Sequence, residues 1–225
     1  MENFYYKKSL KCPICLFEFS STKIKLKAIK VKSKDEDFCV HYKDYNPMYY
    51  EIFICPNCGY GASNNSFNDI NDIERELLMK AFAGREIGRD FSGIRTHMDA
   101  LDSFKIALYT ANLKKAKDSV IAGLALKTAW MHRYIKDNSE LVFLKMALEY
   151  YKEAYNNEDF HNNNIDELVV IYLIGEISRR VGMYEDSITW FNRLINHPSK
   201  DKNRRIEKLA REQWRSVRET IKAGI

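Results

Sequence analysis

The alternation of apolar and polar residues changes character near residue 66. Before that point, apolar and polar residues alternate over short runs, and a period of two residues is typical of β-strands. After it, apolar residues recur every three or four positions, which is the spacing of helices with one buried face. The change predicts an α+β protein, with a small β domain over residues 1–66 and an all-helical domain over residues 67–225.

Strand patterns occupy residues 4–11, the segment after the first cysteine pair, residues 23–33 and residues 48–54. In residues 23–33 lysines alternate with apolar residues, and the phase slips by one residue at Ala28-Ile29. A β-bulge there would keep all the lysines on one face. That face is interpreted as a solvated edge, with phosphate or acidic-protein contact as the alternative. The lysines are Lys23, Lys25, Lys27, Lys30 and Lys32.

The same part of the chain is dense in aromatic residues. In a small domain such residues usually supply the core, and the alternative is a surface on which bases or a peptide stack. The residues concerned are Tyr42, Tyr45, Tyr49, Tyr50 and Phe53.

Helical spacing predicts seven helices in the second part. Ser66 or Asn68 is the expected cap of the first helix, which ends near Phe82. The remaining helices are predicted over residues 96–113, 117–135, 139–156, 165–181, 184–196 and 201–222.

Three of these helices share a small residue, an aromatic residue four positions later and an apolar or small residue three further on. Stacked helical hairpins use this arrangement, since small residues let helices approach and aromatic residues fill the space between them. The last unit resembles a tetratricopeptide repeat, with Gly175 at a close helix contact and Gly182 at the turn. The sets are Ala100/Phe104/Ala107, Ala147/Tyr151/Ala154 and Ser187/Phe191/Leu194.

The final helix is expected to cap this predicted solenoid, because its apolar residues share one face and its other face is basic. A basic amphipathic helix lying on an anionic membrane surface is the alternative. This face comprises Ile206, Ala210, Gln213, Val217 and Ile221, with Leu209 and Trp214 beside it.

Two Cys-Pro-x-Cys segments lie 39 residues apart, and a glycine follows the second one directly. Each is a turn that directs two thiols to one point, and two such turns supply the four ligands of a structural zinc ion. Gly59 suits a turn that requires a positive φ angle. The spacing predicts one structural zinc per chain, bound by Cys12, Cys15, Cys55 and Cys58.

The fifth cysteine, Cys39, is left over once four ligands are assigned. It is interpreted as a small buried residue or as a redox-sensitive thiol. Either Cys39 or His41 is also a possible accessory ligand, or a replacement for one of the four.

Composition excludes several classes of function. The net charge of +5 is mild, and the chain contains no apolar run long enough to cross a membrane. The first residues have no signal-peptide pattern, which predicts a cytoplasmic protein. The scattered histidines form no HExxH pair, and neither a Gly-x-Ser-x-Gly elbow nor a dinucleotide-binding turn is present. The sequence therefore assigns no catalytic residue and favours a non-enzymatic role, with a metalloenzyme a poorly supported third choice.

Several stretches together resemble a bacterial family known as domain of unknown function 2225. The resemblance implies a zinc ribbon joined to tetratricopeptide-like helices, with no established activity. Besides the two cysteine pairs, it rests on Asp37-Phe38-Cys39, Asn46-Pro47, Ala122-Gly123-Leu124 running to Ala129-Trp130, Tyr172 to Glu176 and Trp190-Phe191.

The function predicted from these features is that of a zinc-binding adaptor that binds an unidentified protein through its helices. Helical spacing counted from Gly175 places the partner-binding residues on one face of their helix. The alternative is a nucleic-acid-binding protein that uses the lysine strand. The predicted partner-binding residues are Val169, Tyr172, Glu176 and Arg179.

Overall fold

A computed structural model describes residues 4–84, 88–160 and 165–224. Within these ranges, three antiparallel hairpins of two strands each precede seven α-helices, so the protein is α+β. None of the helices in this part of the chain is both long and apolar enough to cross a membrane.

The hairpins account for all of the strands in the described ranges. The first joins β1 (Tyr5–Lys11) to β2 (Glu18–Ile24), and its turn carries the first cysteine pair. The third joins β5 (Ile52–Ile54) to β6 (Gly61–Ser63), and its turn carries the second pair. The middle hairpin pairs β3 (Val31–Lys34) with β4 (Val40–Tyr42).

The predicted strand over residues 23–33 is wrong, because the chain leaves β2 at Ile24 and forms a 3-10 turn over Leu26–Ala28. Ala28 is buried in this turn, together with Ile24 and Tyr50. An irregularity in strand pairing does occur, but it lies between Val31 and Ser33. The turn divides the lysines between separate elements, so they do not share one strand face.

The helices begin and end close to the predicted positions. The main correction concerns the first, which starts after Asn71 because the Asn71 side chain and Glu74 form a reciprocal capping box. Their bounds are α1 Asp72–Phe82, α2 His97–Leu113, α3 Asp118–Tyr134, α4 Glu140–Asn157, α5 Glu167–Arg180, α6 Tyr184–Ile195 and α7 Arg204–Lys222.

The chain divides into two compact units, and the domain boundary at residue 66 stays a prediction. The helices α1 and α2 belong with the hairpins, because α2 packs on β5 and β6. The first unit comprises Met1–Asp35, Val40–Ala116 and Trp130–Asp137, and the second comprises Glu36–Cys39, Lys117–Ala129 and Asn138–Ile225.

The core of the second unit lies among α5, α6 and α7. Ile206, Ala210 and Val217 of α7 are buried there, so most of its apolar face is covered by its own chain. Ile221 remains partly exposed at the end of this helix. The residues of the three predicted helical sets are all buried, each within its own unit.

Gly175 lies against the Phe191 ring, and Gly182 makes the turn after α5 with a φ angle of 82°. A Cβ atom on Gly175 would lie 2.8 Å from two carbons of that ring, which is closer than side chains pack. The glycine therefore permits the close approach of α5 and α6 that the sequence predicted.

We expect Gly175→Ala to destabilise the second unit by about 1–3 kcal/mol, because the ring must move inside a packed core. Gly123→Ala is the matched control. Its Cβ would lie 3.8 Å from the Tyr151 hydroxyl, an ordinary contact, and alanine favours the helix. Urea unfolding followed by tryptophan fluorescence measures both changes, and equal midpoints for the two variants would contradict the assigned contact.

Candidate metal centre

The two cysteine-bearing turns bring four thiols together. The Sγ atoms of Cys12, Cys15, Cys55 and Cys58 all lie within 4.8 Å of one another, an arrangement that could hold a metal ion. The Cys12 and Cys58 sulfurs are 3.7 Å apart, and those of Cys15 and Cys55 are 3.6 Å apart. A zinc–sulfur distance of about 2.3 Å makes the edge of a regular tetrahedron about 3.8 Å, whereas a disulfide requires about 2.05 Å. The observed spacing fits the tetrahedron.

Each turn is fixed by its own backbone hydrogen bonds. In the first, the Cys12 N–H donates to Phe17 O and the Leu16 N–H to Cys12 O. In the second, the Cys55 N–H donates to Tyr60 O and the Gly59 N–H to Cys55 O. The two turns therefore repeat one geometry, and these hydrogen bonds orient the Cys pair within each turn.

The residue after each second cysteine has a positive φ angle, 62° at Leu16 and 80° at Gly59. The glycine adopts this conformation without strain, as the sequence predicted, whereas a leucine there is strained. The first turn keeps this shape despite the strain because the surrounding hydrogen bonds and core packing hold it.

The electrostatics of the cluster favour a bound cation. Hydrogen bonds with Cys12 and Cys55, reinforced by burial, hold the pKa of Cys58 far above its usual value. Hydrogen bonds from Cys12 and Cys58 and from backbone N–H groups lower the pKa of Cys55. Four crowded thiols cannot all ionise without a compensating charge, and a divalent cation supplies that charge.

The apolar core of the first unit packs directly against the thiols. Cys12 and Cys55 are fully buried beside Tyr60 and Phe67, and the Tyr60 hydroxyl donates to Phe67 O. Leu78 of α1 belongs to the same core. Helix α1 and the cysteine turns thus share one core, so binding at the thiols stabilises both.

The cluster consists of the four paired cysteines, and no other described residue belongs to it. Cys39 is fully buried in the second unit, where its N–H donates to Asp37 Oδ1. His41 lies on β4, and its Nε2 is 3.0 Å from Asp35 Oδ1. A ligand role for Cys39 or His41 stays a prediction, and the cluster offers four ligands without them.

The lysines proposed for nucleic-acid contact are distributed over separate elements. Lys23 on β2 is half-buried and donates to Tyr50 O, and burial lowers its pKa. Lys27 lies beside the Phe4 ring in the 3-10 turn, and Lys30 and Lys32 are exposed near β3. Lys25 is partly buried. Contact of these lysines with nucleic acid stays a prediction.

The face of α5 predicted to bind a partner is covered by residues of the same unit. Tyr172 is fully buried, its hydroxyl donates to Glu36 O at 2.9 Å, and Phe38 stacks on its ring. The two ring centroids are 5.3 Å apart. Tyr172 is therefore covered by its own chain, and its role in binding a partner stays a prediction.

The charged part of that face is also paired within the chain. Glu176 is fully buried and accepts hydrogen bonds from Arg179 and Arg180. Arg180 also contacts Glu36 and the buried carboxylate of Asp37. Val169 is half-buried at the start of α5. Tyr172 and the neighbouring Arg180 thus contact Glu36–Cys39, whereas Arg179 pairs with Glu176. Periodicity alone does not reveal these contacts.

Comparisons with known proteins identify a family and a distant relative. A protein of Borreliella burgdorferi described as "Uncharacterized protein" is 24% identical over 180 residues, covering 68% of this chain. The alignment spans 62% of that relative's length. No solved structure matches the chain. The family described as "Uncharacterized protein conserved in bacteria (DUF2225)" matches residues 5–217, and the chain belongs to this family.

Proposed function

We propose that the protein is a non-enzymatic adaptor, in which a zinc ion stabilises a ribbon of hairpins and tetratricopeptide-like helices bind another protein. The observation that carries the metal part is the clustering of the four thiols within 4.8 Å, with two sulfur pairs at 3.7 and 3.6 Å. Cys12, Cys15, Cys55 and Cys58 would hold the ion. Zinc bound by four thiolates has no position left for a water molecule, so its role would be to cross-link the two turns.

The adaptor part is supported by the way α5 holds Glu36–Cys39. This short segment presents a backbone carbonyl, two carboxylates and an aromatic ring to Tyr172 and Arg180. An extended partner segment with an acidic residue next to an aromatic one would satisfy the same groups. We infer that such a segment competes with the chain's own Glu36–Cys39.

The test uses a fluorescein-labelled peptide of residues 33–42, with serine in place of Cys39. Wild-type protein should bind it weakly, because the tethered segment has a high effective concentration. The full chain with Phe38→Ala should bind it at least about tenfold more tightly, since the ring that competes for Tyr172 is gone. Fluorescence anisotropy measures both affinities.

Adding Arg180→Ala to the Phe38→Ala chain is the specificity control. It should remove the gain in peptide affinity, because Arg180 pairs with the carboxylates of Glu36 and Asp37. Equal peptide affinity for the wild-type and Phe38→Ala chains would rule out competition at α5. Absence of peptide binding to either chain would refute the adaptor role at this face.

Nucleic-acid binding is the second candidate, supported by the exposed Lys30 and Lys32. It predicts an affinity for single-stranded oligonucleotides that falls steeply with salt, because phosphate contacts release counterions. An affinity unchanged by Lys30→Glu and Lys32→Glu would reject this candidate. The separation of the lysines over several elements makes the adaptor the better-supported proposal.

A further inference from the structure

A cleft of about 410 Å³ opens in the first unit, and aromatic residues dominate its walls. Its volume is within the usual range for small-molecule sites. Arg95, which follows the glycine-containing loop between α1 and α2, lines the same cleft. The tyrosines are Tyr5, Tyr42, Tyr45, Tyr49, Tyr50 and Tyr134.

Arg95 is 5% exposed, which is unusual for a guanidinium group. Its Nε donates to Phe91 O, and its Nη1 donates to Tyr49 O at 3.0 Å and Ile52 O at 2.9 Å. Its buried Nη2 has no hydrogen-bond partner among the described residues. Three carbonyl groups therefore orient the side chain and leave the two N–H groups of Nη2 unused.

No carboxylate of the described residues forms an ion pair with Arg95. The two acids that act on it through space are bound elsewhere, since Asp90 accepts from Ser92 and Asp99 accepts from Thr96. Burial lowers the pKa of Arg95 to about 10. A buried cation without a counter-ion is costly, and an anion arriving from the cleft would remove that cost.

The charges around the opening are few. Lys43 and Asp44 are exposed at its rim, and His41 is hydrogen-bonded to Asp35. The Tyr50 hydroxyl accepts the Arg95 backbone N–H. Guanidinium groups bind carboxylates and phosphates through paired N–H donors, and tyrosine rings stack on planar groups.

We propose that this cleft binds a small molecule that carries one oxyanion on a planar ring, the oxyanion facing Arg95 and the ring lying among the tyrosines. The oxyanion is a carboxylate or a phosphate, since the guanidinium recognises both. The proposal is independent of the metal centre's identity and of binding at α5.

Matched pairs of probes test the charge requirement and separate the two oxyanions. Adenosine 5′-monophosphate is compared with adenosine, and indole-3-acetate with indole-3-acetamide, by saturation-transfer NMR and calorimetry on the full chain. At least one acid should bind with a dissociation constant below about 1 mM, and its neutral partner at least about tenfold more weakly. The acid that binds identifies the oxyanion.

Arg95→Lys should weaken binding of that acid at least about tenfold, because lysine keeps the charge but loses the Nη2 donors that the carbonyl contacts orient. Since Arg95 also bonds three carbonyls, two rim variants provide a test that leaves the core intact. Lys43→Glu should lower the affinity for the acid about threefold, and Asp44→Lys should raise that affinity by a similar factor. The affinity for the neutral probe should be the same in both rim variants as in the wild-type chain.

Two results would overturn the proposal. One is that neither acid binds below about 5 mM, or that each neutral partner binds as well as its acid. The other is that Lys43→Glu and Asp44→Lys leave the affinity for the bound acid unchanged, which would place the anion away from this cleft.

Discussion

Replacing Cys55 with serine is expected to abolish stoichiometric metal binding and to unfold the first unit. Cys55 is fully buried in the core that also contains Tyr60 and Leu78, and a serine hydroxyl is a poor zinc ligand. Zinc sites of this type contribute about 10 kcal/mol or more to folding, so most of the unit's stability depends on it.

Inductively coupled plasma mass spectrometry of reduced protein should find about one zinc per wild-type chain, as a four-thiolate site requires. Hydrogen exchange then shows which elements unfold in Cys55→Ser. Protection should be lost in β5, β6 and α1, and retained in α5 and α6. Iron in place of zinc would correct the metal's identity but keep the four-thiolate site.

Cys39→Ser is the matched control, because it removes a buried thiol outside the four-cysteine cluster. It should leave the zinc content unchanged and lower the free energy of unfolding by about 1–3 kcal/mol, because a hydroxyl is buried. Loss of zinc in Cys39→Ser, or one zinc retained in Cys55→Ser, would show that the ligand set is different.

Glu176→Ala is expected to destabilise the second unit by about 3 kcal/mol, because it removes a buried anion that pairs with two arginines. The Glu176 carboxylate is fully buried, with Arg179 Nη2 at 2.7 Å and Arg180 Nε at 2.8 Å. Both arginine side chains keep some contact with water, at 26% and 18% exposure, which places the loss at the low end for buried pairs.

Urea unfolding followed by the fluorescence of Trp190 and Trp214 reports on this unit alone, provided that Trp130 is replaced by phenylalanine. Glu149→Ala on α4 is the control, because that acid is exposed and its loss should change stability by less than about 0.5 kcal/mol. Equal losses in the two variants would mean that the Glu176 ion pairs contribute no net stability.

Local features of the sequence were sufficient to predict most of the secondary-structure elements. Helical periodicity placed α2 to α7 within a few residues, because each helix buries one continuous stripe. The lysine run was less predictable, since the same alternation fits one bulged strand or two strands joined by a turn. Burial of Ala28 and Ile24 with Tyr50 decided between them.

The candidate metal site could be predicted because its geometry is local. A Cys-Pro-x-Cys turn fixes the direction of two thiols by itself, and Gly59 adopts the positive φ angle that this turn needs. Only the tertiary structure could place the two turns beside each other, at sulfur separations of 3.6 and 3.7 Å.

The sequence by itself determined the helices, the cysteine turns and the close contact at Gly175, because each depends on residues near one another in the chain or on a regular period. The tertiary structure alone decided that Tyr172 is covered by Phe38 and that Arg95 is buried with no carboxylate of the described residues paired to it. These contacts join residues far apart in the chain, and their free energy comes from burial and charge pairing, which no local pattern encodes.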